Sequence, residues 1–279
     1  MELAYFFEDK RRLVNKALTK EFSRTDGIPP RLFAAMRYSV FSGGKRIRPI
    51  LSLITFEASN GKNLNWILPF ACGIELLHTF SLINDDLPCM DNDDWRRGKP
   101  TLHKAFDEAT AILAAMALFA KAYELFSESE APSNNKIRAI NDISKAIGGS
   151  GMVAGQSMDI KDKVSNLQVL KKIQRKKTAE FIAVSIRVGA IIAGANEDII
   201  MQLGQAGTDL GMLFQITDDI LDAQQDKANQ PTFVKIYGLK RTQKLAKNYT
   251  QKAIQKFAKL GKRFTPLVQI TDWISKRGN

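Results

Sequence analysis

At 279 residues, 44% of them hydrophobic and 25% charged, the chain is long and apolar enough to bury the core of one large domain or two small ones, and it is not a disordered composition. Two cysteines cannot build a disulfide framework, and with only two histidines beside them they make a poor zinc site. The net charge of +12 suggests nucleic acid until it is mapped: residues 1–226 hold 28 basic and 28 acidic side chains, whereas the last 53 hold 13 basic ones and a single acid, Asp272.

Along the chain, "MELAYFFEDKRRLVNK" reaches charged residues too early for a secretory signal. The basic stretch "GGKRIRP" (Gly43 to Pro49) reads, taken alone, as a solvated turn. A long, largely apolar segment, "WILPFACGIELLHTFSLIN", has the pattern of a helix buried on most sides. By itself His78 in it is a structural histidine and Phe80 a core aromatic. The segment runs directly into "DDLPCMDNDDWRRG", where Asp85, Asp86, Asp91, Asp93 and Asp94 crowd together before Arg96 and Arg97. Asp85 and Asp91 are six apart, about 240° around an ideal helix. Pro88 forbids a straight helix there, so a local break is expected to swing Asp91 back toward Asp85. The longest uninterrupted apolar run, "AILAAMALFA", is about half the length of a membrane span. A soluble, cytoplasmic protein is expected.

Breaks at "DGIPP", "NGKN", "EAPSNN", "IGGSG" and "GLK" separate helical patterns, and strand alternation is scarce, so a single all-α domain of long helices is expected over residues 1–279. Gln156 in "GQSMD" is compatible with capping or bridging helices, and Lys177 follows Arg175 and Lys176 as in a surface run. In "TDLGMLFQITDDILDAQQD" the geometry is sharper. Asp218 and Asp222 are four apart and share a helix face with Gln215 and Gly211, while Leu210, Leu213, Phe214, Ile220 and Leu221 lie opposite. That describes a helix lining a polar cavity, and the stretch holds no lysine or arginine to neutralise its acids. The basic segment "RTQKLAKNYTQKAIQKFAKLGKRF" spaces Leu245, Tyr249, Phe257 and Leu260 along one face, as in a terminal helix packed on the domain with solvated lysines; contact with a membrane surface or RNA is the less favoured alternative.

Two carboxylate groups without His or Cys ligands call for a hard, oxygen-loving cation, with Mg²⁺ shared with substrate phosphates as the default. Arginine forks beside them suit phosphate oxygens.

Taken together, these segments resemble the short-chain trans-isoprenyl diphosphate synthases, closest to the bacterial farnesyl diphosphate synthases. The motifs, in order, are "GGKRIRP", "DDLPCMDNDDWRRG", "GQSMD", "KTAEF" (Lys177 to Phe181) and "FQITDDILD" (Phe214 to Asp222). The resemblance implies an all-α isoprenoid synthase fold, a homodimer, and about three Mg²⁺ ions per active site shared with substrate diphosphates. It assigns Asp85, Asp91 and Asp218 to Mg²⁺, with Asp86 and Asp222 supporting. It gives Lys45, Arg48, His78 and Arg97 to the diphosphate of isopentenyl diphosphate, and Arg96, Lys177, Thr178 and Gln215 to the allylic diphosphate. Phe80, five residues before Asp85, would close the product pocket and limit the product to farnesyl diphosphate. A geranylgeranyl diphosphate synthase and a non-catalytic prenyl-diphosphate-binding homologue are the alternatives.

The chain departs from the family after Asp222, where "AQQDKANQPTFVKIYG" is shortened. Thr232 and Phe233 match the family's Thr-Tyr pair, Gln230 falls where the allylic lysine stands, and Lys227 or Lys235 could replace it. Asn84 also stands where this subfamily often has His.

Overall fold

In a computed structural model, residues 3–25, 27–161, 166–224 and 231–277 are described; Lys227 and Gln230 lie outside them. The helices in chain order are α1 (Leu3–Glu21), α2 (Pro30–Val40), α3 (Ile47–Ala58) and α4 (Leu64–Asp85). A two-stranded hairpin follows, β1 (Trp95–Arg96) and β2 (Lys99–Pro100), and then α5 (Leu102–Ala105), α6 (Glu108–Glu128), α7 (Ser133–Ile147), α8 (Met152–Lys161) and α9 (Leu167–Gln174). A π turn, Arg175–Ala179, leads into α10 (Glu180–Ala193) and α11 (Glu197–Gln224), followed by α12 (Phe233–Tyr237), α13 (Leu239–Lys259) and α14 (Thr265–Lys276). The expected all-α architecture is present, and among the described residues the hairpin supplies all the strand structure.

The chain falls into two compact units: residues 1–53 with 63–131, and residues 54–62 with 132–279. In the first, α4 packs against α6. Phe70 stacks on Phe126 with ring centroids 4.9 Å apart, and Phe126 lies where a side chain on Gly73 would stand. Both helices are long and apolar enough, by length and composition, to cross a membrane. For α4 the apolarity is used inside the protein, where 61% of its most apolar window is buried; for α6 the share is only 39%. The balance on α6 is an exposed stripe of Ile112, Leu113, Met116 and Phe119.

In the second unit α11 packs against both α10 and α13. Met212, Ile216 and Ile220 of α11 form a buried cluster with Leu170, Ala179 and Phe233, and Leu245, Ala246 and Tyr249 of α13 pack against it. Phe257 of α13 is fully buried. The basic C-terminal helix therefore uses its apolar stripe for packing, as expected of a terminal helix, and leaves most of its lysines exposed.

Candidate active site

At the acidic end of α4, helix geometry stops at Asp85 and the backbone turns on Pro88. Asp91 then donates its N–H to the Asp85 carbonyl at 2.8 Å, and Asn92 donates to Leu87. The break brings Asp91 back to Asp85, as the spacing around Pro88 predicts. Asp86 points inward instead: it is 4% exposed, and Arg96 donates to it through Nε at 2.6 Å while Nη2 reaches Asp93 at 3.1 Å. Burial raises the Asp86 pKa against the pull of Arg96. Arg96, expected at the allylic diphosphate, is thus paired with two acids of its own loop.

The hairpin carries Arg97 to the basic motif. Arg97 and Gly98 both have positive φ (+54° and +75°), the two-residue turn that matches strand twist. Arg97 donates to the Gly43 carbonyl, and its guanidinium lies over Gly44 so closely that a Cβ there would stand 2.7 Å from Nη1. Arg48 lies 3.4 Å from His78 Nε2. Burial, then the charges of Arg48, Arg97, Arg96 and Arg46, hold His78 well below the ordinary imidazole range, so the ring is neutral. With Nε2 accepting from Arg48, its proton belongs on Nδ1. Lys45 is exposed on the same loop. Arg46 corrects the solvated-turn reading of this motif. It is 4% exposed, paired with buried Glu75 at 2.7 Å and bonded to Asn15 and the Val40 carbonyl, so it anchors the loop rather than facing solvent.

Phe80 is half-buried on α4 and meets Phe119 of α6 at 5.1 Å; Phe119 meets Tyr123 at 5.0 Å, and Tyr123 meets Phe126 at 5.5 Å. Phe80 is the first member of an aromatic row that buttresses it from behind.

In the second unit the π turn presents Lys177 and Thr178. Single π turns inside helices widen the backbone and recur at functional sites. Two glycines make room for this one: a Cβ at Gly155 of α8 would lie 2.3 Å from the Lys177 backbone nitrogen, and one at Gly211 of α11 would lie 2.5 Å from Ala179 Cα. Gly211 therefore faces this turn rather than a cavity. Lys177 Nζ donates to Asp159 of "GQSMD" at 2.6 Å. Thr178 donates to Gln215 Oε1 at 3.1 Å, and Gln215 Nε2 donates to Asp219 Oδ1 at 2.8 Å. Gln156 neither caps nor bridges: both its amide atoms are buried and have no partner among the described residues.

On α11, Leu210, Leu213 and Ile220 are buried and Asp222 is exposed, as the helical face predicts. Asp218 is half-buried, and its neutralising cation comes from the far end of the chain. Arg277 Nη2 lies 3.3 Å from Asp218 Oδ1, with the guanidinium 5.7 Å from the rings of both Phe214 and Trp273. Asp219 is 4% exposed. Burial pushes its carboxyl up to about 6, although the Phe233 N–H and Gln215 favour its ionised form.

The residues fit Mg²⁺. Their donors are carboxylate oxygens, and in the first unit Asp85 and Asp91 are joined by a closed turn. Among the described residues no group of three or more His, Cys, Asp or Glu side chains is gathered to enclose a metal. Mg²⁺ does not require such a cage, because one or two carboxylates plus substrate phosphates satisfy it.

Residues 29–262 match the polyprenyl synthetase family model. The chain belongs to that family. It is 43% identical over 238 residues to a farnesyl diphosphate synthase of Geobacillus stearothermophilus, which covers 83% of this chain and 80% of the relative. It is 38% identical over 290 residues to a heterodimeric geranylgeranyl pyrophosphate synthase large subunit of Arabidopsis thaliana, covering 98% and 76%. Among solved structures, an FPP/GFPP synthase from Zymomonas mobilis superposes with a TM-score of 0.88 at 34% identity, covering 98% of each chain. A geranyltransferase from Legionella pneumophila gives 0.90 at 31% identity, covering 99% and 97%. As a family member, the chain has the all-α isoprenoid synthase fold and is a short-chain prenyltransferase.

Sequence reasoning missed Asp219 and Arg277. Nothing in "DDILD" says which aspartate turns inward, because that depends on what packs behind α11. For Arg277 a signal existed: Trp273 and Arg277 are four apart at a helix end, spaced to stack.

Proposed function

We propose that this prenyltransferase condenses isopentenyl diphosphate with dimethylallyl and then geranyl diphosphate, giving farnesyl diphosphate, and that one catalytic domain formed by the whole chain does so. Asp85, Asp91 and Asp218 are the proposed Mg²⁺ ligands, with Asp86 holding Arg96 and Asp222 helping from the exposed face. Lys45, Arg48, His78 and Arg97 are the proposed partners of the isopentenyl diphosphate; Lys177, Thr178, Gln215 and Arg96 serve the allylic diphosphate.

When bound, Mg²⁺ supplies positive charge that stabilises the departing diphosphate. The chain's own residues do the remainder. Cationic side chains orient both diphosphates and meet the negative charge that grows as the allylic C–O bond breaks and its electron pair leaves with the diphosphate. The double bond of isopentenyl diphosphate then supplies the electrons of the new C–C bond, and a proton leaves to the released diphosphate. Neutral His78 accepts from Arg48 and so aims that guanidinium without adding charge. Apolar side chains on the α4 face before Asp85 keep water from quenching the cation.

The observation that carries the C15 reading is Phe80. It stands five residues before Asp85, about 7.5 Å along the helix, and is backed by Phe119. The geranylgeranyl synthases among the relatives favour a C20 product instead. Product chromatography after incubation with both five-carbon diphosphates and Mg²⁺ separates the readings. The expected result is farnesyl diphosphate from the unaltered protein and longer products from Phe80→Ala; C20 from the unaltered protein, or C15 from both, contradicts the assignment, and no elongation favours a binding protein.

Homodimer formation is proposed through α6, whose exposed Ile112, Leu113, Met116 and Phe119 form a stripe an aqueous surface does not favour.

A further inference from the structure

One buried carboxylate in the second unit holds two chain segments at once. Asp219 Oδ1 accepts from Gln215 Nε2 at 2.8 Å, and Asp219 Oδ2 accepts from the Phe233 backbone N–H at 2.8 Å. The first bond fixes which way the Gln215 amide faces, so that Oε1 accepts the Thr178 hydroxyl proton at 3.1 Å. Thr178 belongs to the π turn that carries Lys177, itself held by Asp159. The second bond fixes the first residue of α12, where Thr232 caps the helix by accepting from the Lys235 N–H and Thr242 donates to the Phe233 carbonyl.

We propose that Asp219 is a positioning residue of the reaction: through Gln215 it sets the π turn that presents Lys177, and through Phe233 it fixes the start of α12. Its neighbour Asp218 presents a carboxylate to ligand, whereas Asp219 never touches one. A surface acid would not do this, because each oxygen is committed to a different segment and the direction of the donors matters. Replacing it by asparagine keeps size and shape but offers an N–H to Gln215 Nε2, a donor facing a donor. With the asparagine oxygen kept on the Phe233 N–H, Gln215 must turn its amide over, and the Thr178 hydroxyl, now facing an amide N–H, must reverse from donor to acceptor and turn its proton elsewhere. The inference rests on the proposed role of Lys177 at the allylic diphosphate, so its test includes a readout independent of that role.

Asp219→Asn is expected to raise the KM for the allylic diphosphate about tenfold, the size of one lost charge-assisted hydrogen bond. The KM for isopentenyl diphosphate stays as in the unaltered protein. The double variant Asp219→Asn/Gln215→Glu restores the relay with reversed chemistry: the introduced amide donates to the introduced carboxylate, which again accepts from Thr178. It is expected to restore the order of residues 175–179 without recovering allylic affinity, because Gln215→Glu sets a carboxylate beside the diphosphate. Hydrogen exchange reads the same relay without turnover: amides of residues 175–179 and 233–237 exchange faster in Asp219→Asn, and those of 175–179 return toward normal in the double variant. Unchanged exchange in Asp219→Asn, or no recovery of exchange in the double variant, overturns the positioning role. Exchange that follows this pattern while the allylic KM stays constant leaves the relay intact and overturns only the assignment of Lys177 to that substrate.

Discussion

At His78, an imidazole surrounded by Arg48, Arg97, Arg96 and Arg46 is held neutral by burial first and by those charges second. Its folded-state pKa lies below the unfolded value of about 6.5, so the stability it contributes is present above that pH and is lost as pH falls. Asp219 acts with opposite sign. Its carboxyl is raised to about 6, so its contribution is greatest in acid and is lost as pH rises through that value. The two oppose each other between pH 7 and 5, and only a variant separates them. His78→Gln keeps an acceptor for Arg48 and removes the titration. The stability difference between unaltered protein and variant should shrink by up to about 1.4 kcal/mol per pH unit below 6.5 in denaturant unfolding; a difference constant from pH 8 to 5 contradicts the neutral histidine. Single residues were legible where local spacing decided them. Asp218 and Asp222 share a face because four residues make a turn, and Asp91 returns to Asp85 because Pro88 breaks the helix. Its spacing from Trp273 signals that Arg277 stacks, but its pairing with Asp218 was not legible, since that closes over 59 positions of chain.

Among the elements, the long apolar helices were readable as helices from their composition; the pairing with α6 uses the apolarity of α4, while α6 keeps an apolar stripe exposed. The hairpin and the π turn were not. An Arg97-Gly98 turn lacks the usual Asn or Asp signal, and it forms here with Arg97 reaching Gly43. A π turn has no local sequence signal; its requirement appears instead in distant glycines, Gly155 and Gly211, that leave its backbone room. The α6 stripe carries the prediction at this scale. Met116 is 61% exposed at its centre. Met116→Glu should convert a dimer into a monomer in sedimentation at micromolar concentration while leaving the helical spectrum intact; an unaltered protein that is already monomeric there contradicts the proposed interface.

For the molecule as a whole, the net charge of +12 is a property of its C-terminal fifth, where α13 packs over the α11 cluster and Arg277, at the end of α14, reaches Asp218. Binding of Mg²⁺ with a diphosphate at the proposed ligands, Asp85 and Asp91 in the first unit and Asp218 in the second, is the claim on which the functional account stands. Calorimetry with inorganic pyrophosphate tests it most directly, on the unaltered protein and on Asp85→Asn and Asp218→Asn. The account predicts binding that requires Mg²⁺, is abolished by a chelator, and weakens at least about tenfold in either variant, a loss of about 1.4 kcal/mol. Pyrophosphate binding of equal strength without Mg²⁺, or unchanged in both variants, would contradict it.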